Sequence, residues 1–193
     1  MSDTNVVLHT ARLVLRPWRE DDAGSLYEYA RDPAVGTAAG WPPHTSVEQS
    51  RGIIREVFSA RETYAVVPVP GDEAVGCVGL LFNDDMHIAC GGEHDAEIGY
   101  WIGVPYWGRG FIPEAVERLI ERCFVDLGIG TLWCGCYDGN RKSQRVQQKC
   151  GFRYHHTDFD KLSLLGDRRT EHFTRLTREE WLADRECRRA EAK

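Results

Sequence analysis

The chain has 193 residues, of which 42% are hydrophobic, so it can bury a core without metal ions or disulfides. Its 24 basic and 30 acidic residues give a formal net charge of −6, which disfavours nucleic acid as a partner and weakly favours cationic or amine substrates. No stretch has the apolar length of a signal peptide or of a membrane span. The seven cysteines are scattered and odd in number, which indicates a reducing compartment. We expect a cytoplasmic protein with no membrane contact, either a monomer or a homodimer.

The first part of the chain predicts a strand followed by two helices. Residues 12–16 alternate polar and apolar side chains, which is typical of a half-buried strand. A helix capped by Asp21 or Asp22 should end before Pro33, because proline disfavours helical geometry in the residue before it. Ser46 begins a capping box for the second helix. The expected apolar face of that helix consists of Val47, Ile54, Val57 and Phe58.

The middle of the chain predicts three further strands and a long helix. The β-rich runs 64–69 and 74–82 flank a Pro-Gly turn, so they predict a hairpin. Residues 96–102 resume strand character. From Pro113 onward, apolar residues recur at helical spacing until Gly128, which favours an amphipathic helix closed by glycine.

The last part predicts a strand at 131–137, a short helix at 140–150, a strand pair at 152–159 and 170–176, and a terminal helix after a capping box at Thr177. The resulting order, β-α-α-β-β-β-α-β-α-β-β, favours an α/β (α+β) fold. Its mixed sheet would carry helices on both faces.

We expect one domain over residues 1–193. Residues 178–193 would form its C-terminal helix and tail.

A strand, a glycine-bearing turn and an amphipathic helix follow one another around residue 110, and this order is typical of an anion site. Unpaired amides at a helix start point at a ligand, and the helix dipole favours negative charge there. Gly108 and Gly110 permit close backbone approach, and Arg109 adds a planar donor fork suited to phosphate. An ordinary strand-to-helix turn can carry the same glycines, so the turn alone leaves both interpretations open.

Longer motifs around this turn resemble the GNAT acyl-CoA N-acyltransferases, and in particular their ribosomal-protein N-terminal acetyltransferase subgroup. The matching segments are 96–102 (AEIGYWI), 106–111 (YWGRGF), 114–115, 12–17 (RLVLRP), 140–152 and 177–181. They cover essentially the whole chain in the expected order. The sequence departs at Trp107, where many relatives have glutamine or arginine, and at Ile112, where glycine or alanine usually ends the phosphate motif.

The resemblance implies the GNAT fold, with a mostly antiparallel mixed sheet of about seven strands and a splay after strand four. It also implies acetyl-CoA as co-substrate, with its pantetheine arm on backbone groups of Ile102 and Val104. Asn140 should reach the same arm, although asparagine there also fits a plain helix N-cap. The pyrophosphate is expected on the turn formed by Trp107, Gly108, Arg109, Gly110, Phe111 and Ile112.

Acetyl transfer to an amine requires a deprotonated amine and a partner for the departing thiolate. The resemblance implies that Glu97 is the base, and an exposed strand glutamate is the alternative. In many relatives a tyrosine at the position of Gln147 protonates the thiolate. Because that tyrosine is absent, Ser143 is expected to take this role and to contact the cofactor. A second helix-capping serine is the alternative for Ser143.

Two aromatic residues are expected to contact the acceptor. Trp41 lies in a proline-rich loop where relatives build the acceptor wall, and a packed lid is its alternative. His172, in the last strand, is expected to line the acceptor mouth or else to be a strand surface residue. No metal is expected, because one set with a spacing that suits zinc lacks a paired Cys-x-x-Cys. This set is His87, Cys90 and His94.

The sequence therefore predicts an acetyltransferase that moves acetyl directly to a primary amine, with Cys134 and Cys136 interpreted as strand-core residues. Two acceptor classes stay open: a protein N-terminal α-amine, and a small amine such as a polyamine, an amino acid or an aminoglycoside. A non-catalytic acyl-CoA-binding module is a further hypothesis. The missing tyrosine favours it, whereas Glu97 and Ser143 together argue against it.

Overall fold

The computed structural model describes residues 6–88 and 91–191, and the strands in these ranges form one mixed sheet. The eight strands there have the spatial order β1-β2-β3-β4-β5-β6-β8-β7. Neighbouring strands are antiparallel, except that β5 and β6 are parallel. The strands are β1 Leu8–His9, β2 Leu13–Pro17, β3 Thr63–Pro68, β4 Gly76–Leu81, β5 Asp95–Ile102, β6 Thr131–Tyr137, β7 Arg153–Leu162 and β8 Arg168–Thr177. The two-residue β1 accounts for the strand beyond the expected seven, since it is too short to show alternation.

Helices cover both faces of this sheet, as predicted. None of the described helices has the length and apolar character needed to cross a bilayer. The last helix begins with the predicted capping box, in which Thr177 Oγ1 accepts a hydrogen bond from the amide of Glu180. The helices are α1 Ala23–Ala30, α2 Pro33–Ala39, α3 Val47–Glu56, α4 Phe111–Glu121, α5 Arg141–Lys149 and α6 Arg178–Glu191.

The expectation of two helices between the first strand and the hairpin is wrong, because α2 is a third. Pro33 begins this helix, although its sequence context predicts a stop signal there. The side chain of Asp32 caps α2 by accepting a hydrogen bond from the amide of Ala34 at 2.9 Å. Proline is favoured at a first helical position, where its missing N–H has no intrahelical partner to lose.

Helix α3 begins as predicted but buries less than predicted. Ser46 caps it by accepting a hydrogen bond from the amide of Gln49 at 3.1 Å. Ile54 is buried, whereas Val47 and Val57 are 37% and 55% exposed. The predicted apolar face is therefore wrong for the two valines, because α3 packs against α1 along a narrow stripe centred on Ile54.

Alternation along β5 defines two faces of the sheet. The even-numbered residues of β5 belong to the main apolar core, which also contains Val116 and Leu119 of α4; we call this side the α4 face. The odd-numbered residues, including Glu97 and Trp101, point the other way. Trp101 packs there against the apolar cluster of α1 and α3, and we call this side the α1 face.

Strands β5 and β6 separate soon after they begin to pair. Their register runs from Asp95↔Thr131 to Glu97↔Trp133. Beyond Glu97, β5 continues along β4, and β6 continues along β8. The predicted splay is thus confirmed, at the fifth strand once β1 is counted.

Candidate active site

The turn between β5 and α4 has the backbone conformation that an anion site requires. Gly108 and Gly110 both have φ of +77°, in the left-handed region that glycine adopts without strain. Helix α4 begins at Phe111, and within the described part of the chain no side chain caps its first amides. Such amides and the positive end of the helix dipole attract anions. The amides of Trp107 and Arg109 donate to carbonyl oxygens within the turn, so the donors left for a pyrophosphate in this described segment are those of Gly108 and of residues 110–112.

Arg12, just before β2, supports this turn from outside. Its Nη1 donates to the carbonyl oxygen of Arg109 at 3.0 Å, and its Nε donates to Glu114 Oε2 at 2.7 Å. Thr10 Oγ1 donates to the other oxygen of Glu114 at 2.6 Å. Burial opposes ionisation of Glu114, but these hydrogen bonds lower its pKa. This support is not visible in the sequence, because no local spacing relates Arg12 to a turn so far along the chain.

Trp107 closes the end of the splay near Ile102. Its Nε1 donates to the carbonyl oxygen of Ile102 at 2.9 Å, and Lys142 Nζ lies 3.1 Å from its ring centroid. The Ile102 carbonyl, expected to pair with the pantetheine arm, therefore already accepts one hydrogen bond. A carbonyl oxygen has two lone pairs, so it retains room for a second donor. Val104 begins the 3₁₀ turn that leads to Trp107.

Asn140 is engaged at both ends of its side chain. Its Oδ1 accepts from the amide of Ser143 at 3.1 Å, which makes it the N-cap of α5. Its Nδ2 donates to the carbonyl oxygen of Ala38 at 3.1 Å and so ties α2 to α5. Contact with a pantetheine arm stays a prediction and would have to use the second amide hydrogen.

Glu97 is buried at the point where β5 and β6 separate. Only 5% of this residue is exposed, so the solvent-facing alternative is wrong. Its Oε2 accepts from the amides of His87 and Ile88 at 2.6 and 3.2 Å, and its Oε1 lies 3.2 Å from His87 Nδ1. The hydrogen bond with Glu97 raises the pKa of His87, because it stabilises the protonated ring. The loop before β5 thus holds a carboxylate on the α1 face.

A second carboxylate, Glu171 of β8, lies near Glu97. Lys161 Nζ lies 3.3 Å from Glu171 Oε2 and donates to the carbonyl oxygen of His87 at 2.8 Å. Burial raises the pKa of Glu171 against the effect of Lys161, and the charge of Glu97 raises it further. Glu171 has no local sequence signal, because its position beside Glu97 depends on the pairing of distant strands.

Ser143 approaches β5 from the α4 face. It lies in the first turn of α5, and its Oγ is 2.9 Å from the Tyr100 hydroxyl oxygen. Tyr100 and Glu97 are an odd number of residues apart on one strand, so their side chains point to opposite faces. The two predicted catalytic residues, Glu97 and Ser143, therefore bracket the splay from its two sides.

Trp41 lies on the same face as Glu97. Its ring is 6.0 Å from that of Trp101 and nearly perpendicular to it. Between Glu97 and Trp101, Gly99 is exposed, and a Cβ built there would meet nothing within 4 Å. Open space therefore lies between the carboxylate and the tryptophan pair, where an acceptor could approach.

His172 does not join this group. It pairs with Cys136 across β6 and β8, and so points to the α4 face. Its ring nitrogens lie 3.0 Å from Asp138 Oδ1 and 2.8 Å from Thr157 Oγ1. His172 lines a separate cavity of about 260 Å³ against α5, together with Gln147.

One of the three residues considered for zinc is held by a carboxylate. His87 is bound to Glu97, as described above, and Cys90 lies outside the described residues. Across 6–88 and 91–191, no group of three or more His, Cys, Asp or Glu side chains is arranged to hold a metal ion.

Comparison with known proteins identifies the family. Residues 12–153 match the acetyltransferase (GNAT) domain model, so the chain belongs to the GNAT acetyltransferases and is an enzyme of the acyltransferase class. It is 29% identical over 151 residues to the uncharacterized N-acetyltransferase p20 of Bacillus licheniformis, which covers 76% of this chain and 82% of p20.

Solved structures share the fold at lower identity. A GNAT-family acetyltransferase from Bacillus anthracis superposes with a TM-score of 0.80 at 21% identity, covering 91% of this chain and 100% of that one. A proposed ribosomal-protein-serine acetyltransferase from Vibrio cholerae gives a TM-score of 0.74 at 23% identity, with coverages of 91% and 99%. The microcin C7 self-immunity acetyltransferase MccE, solved with acetyl-CoA and AMP, gives 0.72 at 20%, with coverages of 87% and 93%. The expected resemblance to the ribosomal-protein acetyltransferase subgroup is therefore confirmed.

Proposed function

We propose that the protein transfers acetyl from acetyl-CoA directly to a primary amine. The observation that carries this proposal is the placement of Glu97 and Ser143 on opposite faces of β5 at the splay. A thioester in the splay would have a proton acceptor on one side and a hydroxyl donor on the other. Direct attack of an amine on a thioester needs a deprotonated amine and a stabilised thiolate, and this arrangement supplies a residue for each.

Acetyl-CoA is the donor that best fits the turn. The amides at the start of α4 suit a pyrophosphate, and Arg109 is exposed beside them. The open edge of β5 beyond Glu97 suits the amides of a pantetheine arm, which can pair with a strand. The complex of MccE with acetyl-CoA supports the same donor for this fold.

The reaction then follows from the two polar residues. Glu97 accepts a proton from the acceptor ammonium, and the free amine attacks the acetyl carbon. The carbon–sulfur bond breaks, its electron pair stays on sulfur, and the Ser143 hydroxyl stabilises the thiolate by a hydrogen bond. The nitrogen then gives up a second proton, which ends on the thiolate as the thiol of CoA, and keeps the acetyl group as an amide.

No cysteine takes part in this scheme. Cys134 and Cys136 are buried in β6, and burial raises the pKa of both thiols. A nucleophilic cysteine needs the opposite shift. Free thiols and the use of acetyl-CoA support a cytoplasmic location, as a monomer or a homodimer.

For the acceptor we propose a cationic amine, and a protein N-terminal α-amine first. The carboxylates of Glu97 and Glu171 favour a positive charge on the α1 face, and Trp41 and Trp101 offer an aromatic wall beside them. The fold likeness to the Vibrio cholerae protein supports a ribosomal-protein type of acceptor. A polyamine, an amino acid or an aminoglycoside is the alternative that the same charge would accept.

The test is an amine panel with release of free CoA as the readout. It should include peptides with different N-terminal residues, polyamines, amino acids and aminoglycosides. Turnover with peptides above small amines supports an N-terminal acetyltransferase, and the reverse order supports the small-amine alternative. If acetyl-CoA binds but no amine causes release of free CoA, the proposal is contradicted and the non-catalytic module is favoured.

A further inference from the structure

Four buried or half-buried polar side chains form a continuous hydrogen-bonded chain on the α4 face. Thr174 Oγ1 donates to Gln147 Oε1 at 2.9 Å, and Gln147 Nε2 lies 3.2 Å from Ser143 Oγ. Ser143 Oγ is in turn 2.9 Å from the Tyr100 hydroxyl oxygen. Gln147 is only 2% exposed, so its amide depends on these partners. The chain connects β8, α5 and β5 at the splay.

The orientation of the Gln147 amide follows from its neighbours. Nε2 also lies 3.4 Å from the carbonyl oxygen of Gly135, which can only accept. Oε1 faces the Thr174 hydroxyl, which donates to it. The amide nitrogen therefore faces Ser143, so Gln147 is a donor to Ser143 Oγ.

Two hydrogen-bonding positions of the Ser143 hydroxyl face Gln147 and Tyr100. A hydroxyl oxygen accepts two hydrogen bonds and donates one. Gln147 fills one acceptor position, and the Tyr100 hydroxyl at 2.9 Å can fill the other. When Tyr100 donates to Ser143 Oγ rather than to the Ser143 carbonyl oxygen, which lies 3.3 Å away, both acceptor positions are filled and the Ser143 hydrogen points away from these two partners.

Tyr100 is suited to act as the second donor. Its ring packs in the main core, and burial raises the pKa of the hydroxyl well above its usual value, so the group stays protonated. Its position on β5 lies beyond Glu97, where pairing with β6 has ended. The hydroxyl pair therefore lies beside the gap in which the proposed thioester would react.

We infer that Tyr100 and Gln147 are positioning residues that direct the Ser143 hydroxyl toward the sulfur of CoA. This inference rests on the proposed function, in which Ser143 stabilises the departing thiolate. Tyr100 and Gln147 act through Ser143 and do not themselves contact sulfur. The arrangement should stabilise the thiolate form of bound CoA as well as the leaving group during transfer.

The test compares CoA with desulfo-CoA, which lacks the thiol and so corrects for the effect of pH on phosphate contacts. As the pH rises from about 6 to about 10, the thiol of CoA ionises, and a site that stabilises the thiolate should bind CoA more tightly. The affinity for CoA should therefore rise about tenfold relative to that for desulfo-CoA. Ser143→Ala, Tyr100→Phe and Gln147→Met should each remove most of that gain. Tyr64→Phe is the matched control, since it removes another buried hydroxyl of the same core, bonded to Glu62 at 2.6 Å.

Turnover gives a second readout. Tyr100→Phe should lower kcat by about tenfold at unchanged KM for acetyl-CoA, and should lower it no further in a Ser143→Ala background. A purely structural role would instead give additive losses. Gln147→Met provides the same cycle should Tyr100→Phe not fold.

The outcomes separate this inference from the proposed function. Wild-type protein that binds no CoA would overturn both. If acetyl-CoA binds but no amine causes release of free CoA, the proposed transfer is contradicted. The ratio of CoA affinity to desulfo-CoA affinity then still decides whether Tyr100 and Gln147 position Ser143. The positioning role alone would be overturned if Tyr100→Phe and Gln147→Met left the pH-dependent gain in CoA affinity intact. It would also be overturned if their losses in kcat added to the loss caused by Ser143→Ala.

Discussion

The two ends of the candidate site are built in different ways. The anion turn consists of consecutive residues, and two left-handed glycines set its shape. The acceptor side combines β5, the loop before it, β8 and the segment after α2, which are far apart in sequence. The turn would recognise its ligand through backbone amides, whereas the acceptor side would use side chains such as Glu97 and Trp41. Substitutions at the turn should therefore act through conformation, and those on the acceptor side through chemistry.

The largest expected effect is at the turn. Gly110→Asp should weaken CoA binding by about a thousandfold or more, because it sets a like charge beside a phosphate and strains a left-handed backbone. A Cβ at this position would lie 3.4 Å from the flexible end of the Arg12 side chain, so space for the carboxylate exists, and the backbone strain is matched in the control below. Calorimetric titration with CoA measures the loss. Gly128→Asp, with φ of +69° at the other end of the same helical segment, is the matched control and should bind normally.

A smaller effect is expected on the acceptor side. Glu97→Gln should lower kcat/KM by about a hundredfold near neutral pH, because the amine loses its proton acceptor. Part of the loss should be recovered as rising pH deprotonates the amine without help. CoA affinity should stay close to wild type, in contrast to Gly110→Asp.

Glu171→Gln is the control for this second prediction. It removes the neighbouring negative charge but leaves Glu97 in place, so it should raise KM for a cationic amine more than it lowers kcat. A pH–rate profile of Glu97→Gln that matches wild type from about pH 6 to about pH 9 would assign the base elsewhere.

Loss of the Arg12 side chain, which supports the turn, should weaken CoA binding moderately and leave the chemical step unchanged. Arg12→Met should weaken CoA binding by about tenfold, since it removes a charged hydrogen bond to the Arg109 carbonyl. Arg31→Met removes a similarly exposed arginine paired with Glu28, away from the turn. Equal affinities for the two variants would show that Arg12 does not shape the site.

The smallest effect is expected at the strand cysteines. Alanine at both Cys134 and Cys136 should keep kcat/KM within about threefold of wild type, because neither thiol is ionised in its buried site. Intact mass analysis after mixing with acetyl-CoA should show no acetylated protein intermediate. Detection of an acetyl-cysteine would replace direct transfer with a two-step mechanism.

The sequence predicts elements that depend on local signals better than it predicts the acceptor side of the site, which depends on distant contacts. The strand predicted at 131–137 is β6, with the same bounds, because alternation and turn residues are local signals. Pro33 is ambiguous in the sequence, because proline occurs both after the end of a helix and at its first position. The side-chain cap at Asp32 shows that Pro33 begins a helix here. Alternation in β5 separates Glu97 from Tyr100. It does not tell which of them meets α5.

His172 and Glu171 illustrate what sequence alone does not resolve. They are adjacent in β8, so one faces the acceptor side and the other faces α5. The choice depends on the register between β6 and β8, which depends on contacts distant in sequence. The chemistry of its side chain makes His172 the expected acceptor contact, whereas the structure brings Glu171 close to Glu97.

The early end of the pairing between β5 and β6 also bears on aggregation. Two neighbouring strands of one sheet there present main-chain groups to a gap, as strands at the rim of a sheet do. Strand rims of this kind template pairing with foreign chains. An extended ligand with amide groups, lying in the gap, would satisfy them from within the molecule. Protein loaded with CoA should therefore resist heat-induced aggregation better than the free form, by blocking a template for intermolecular strands.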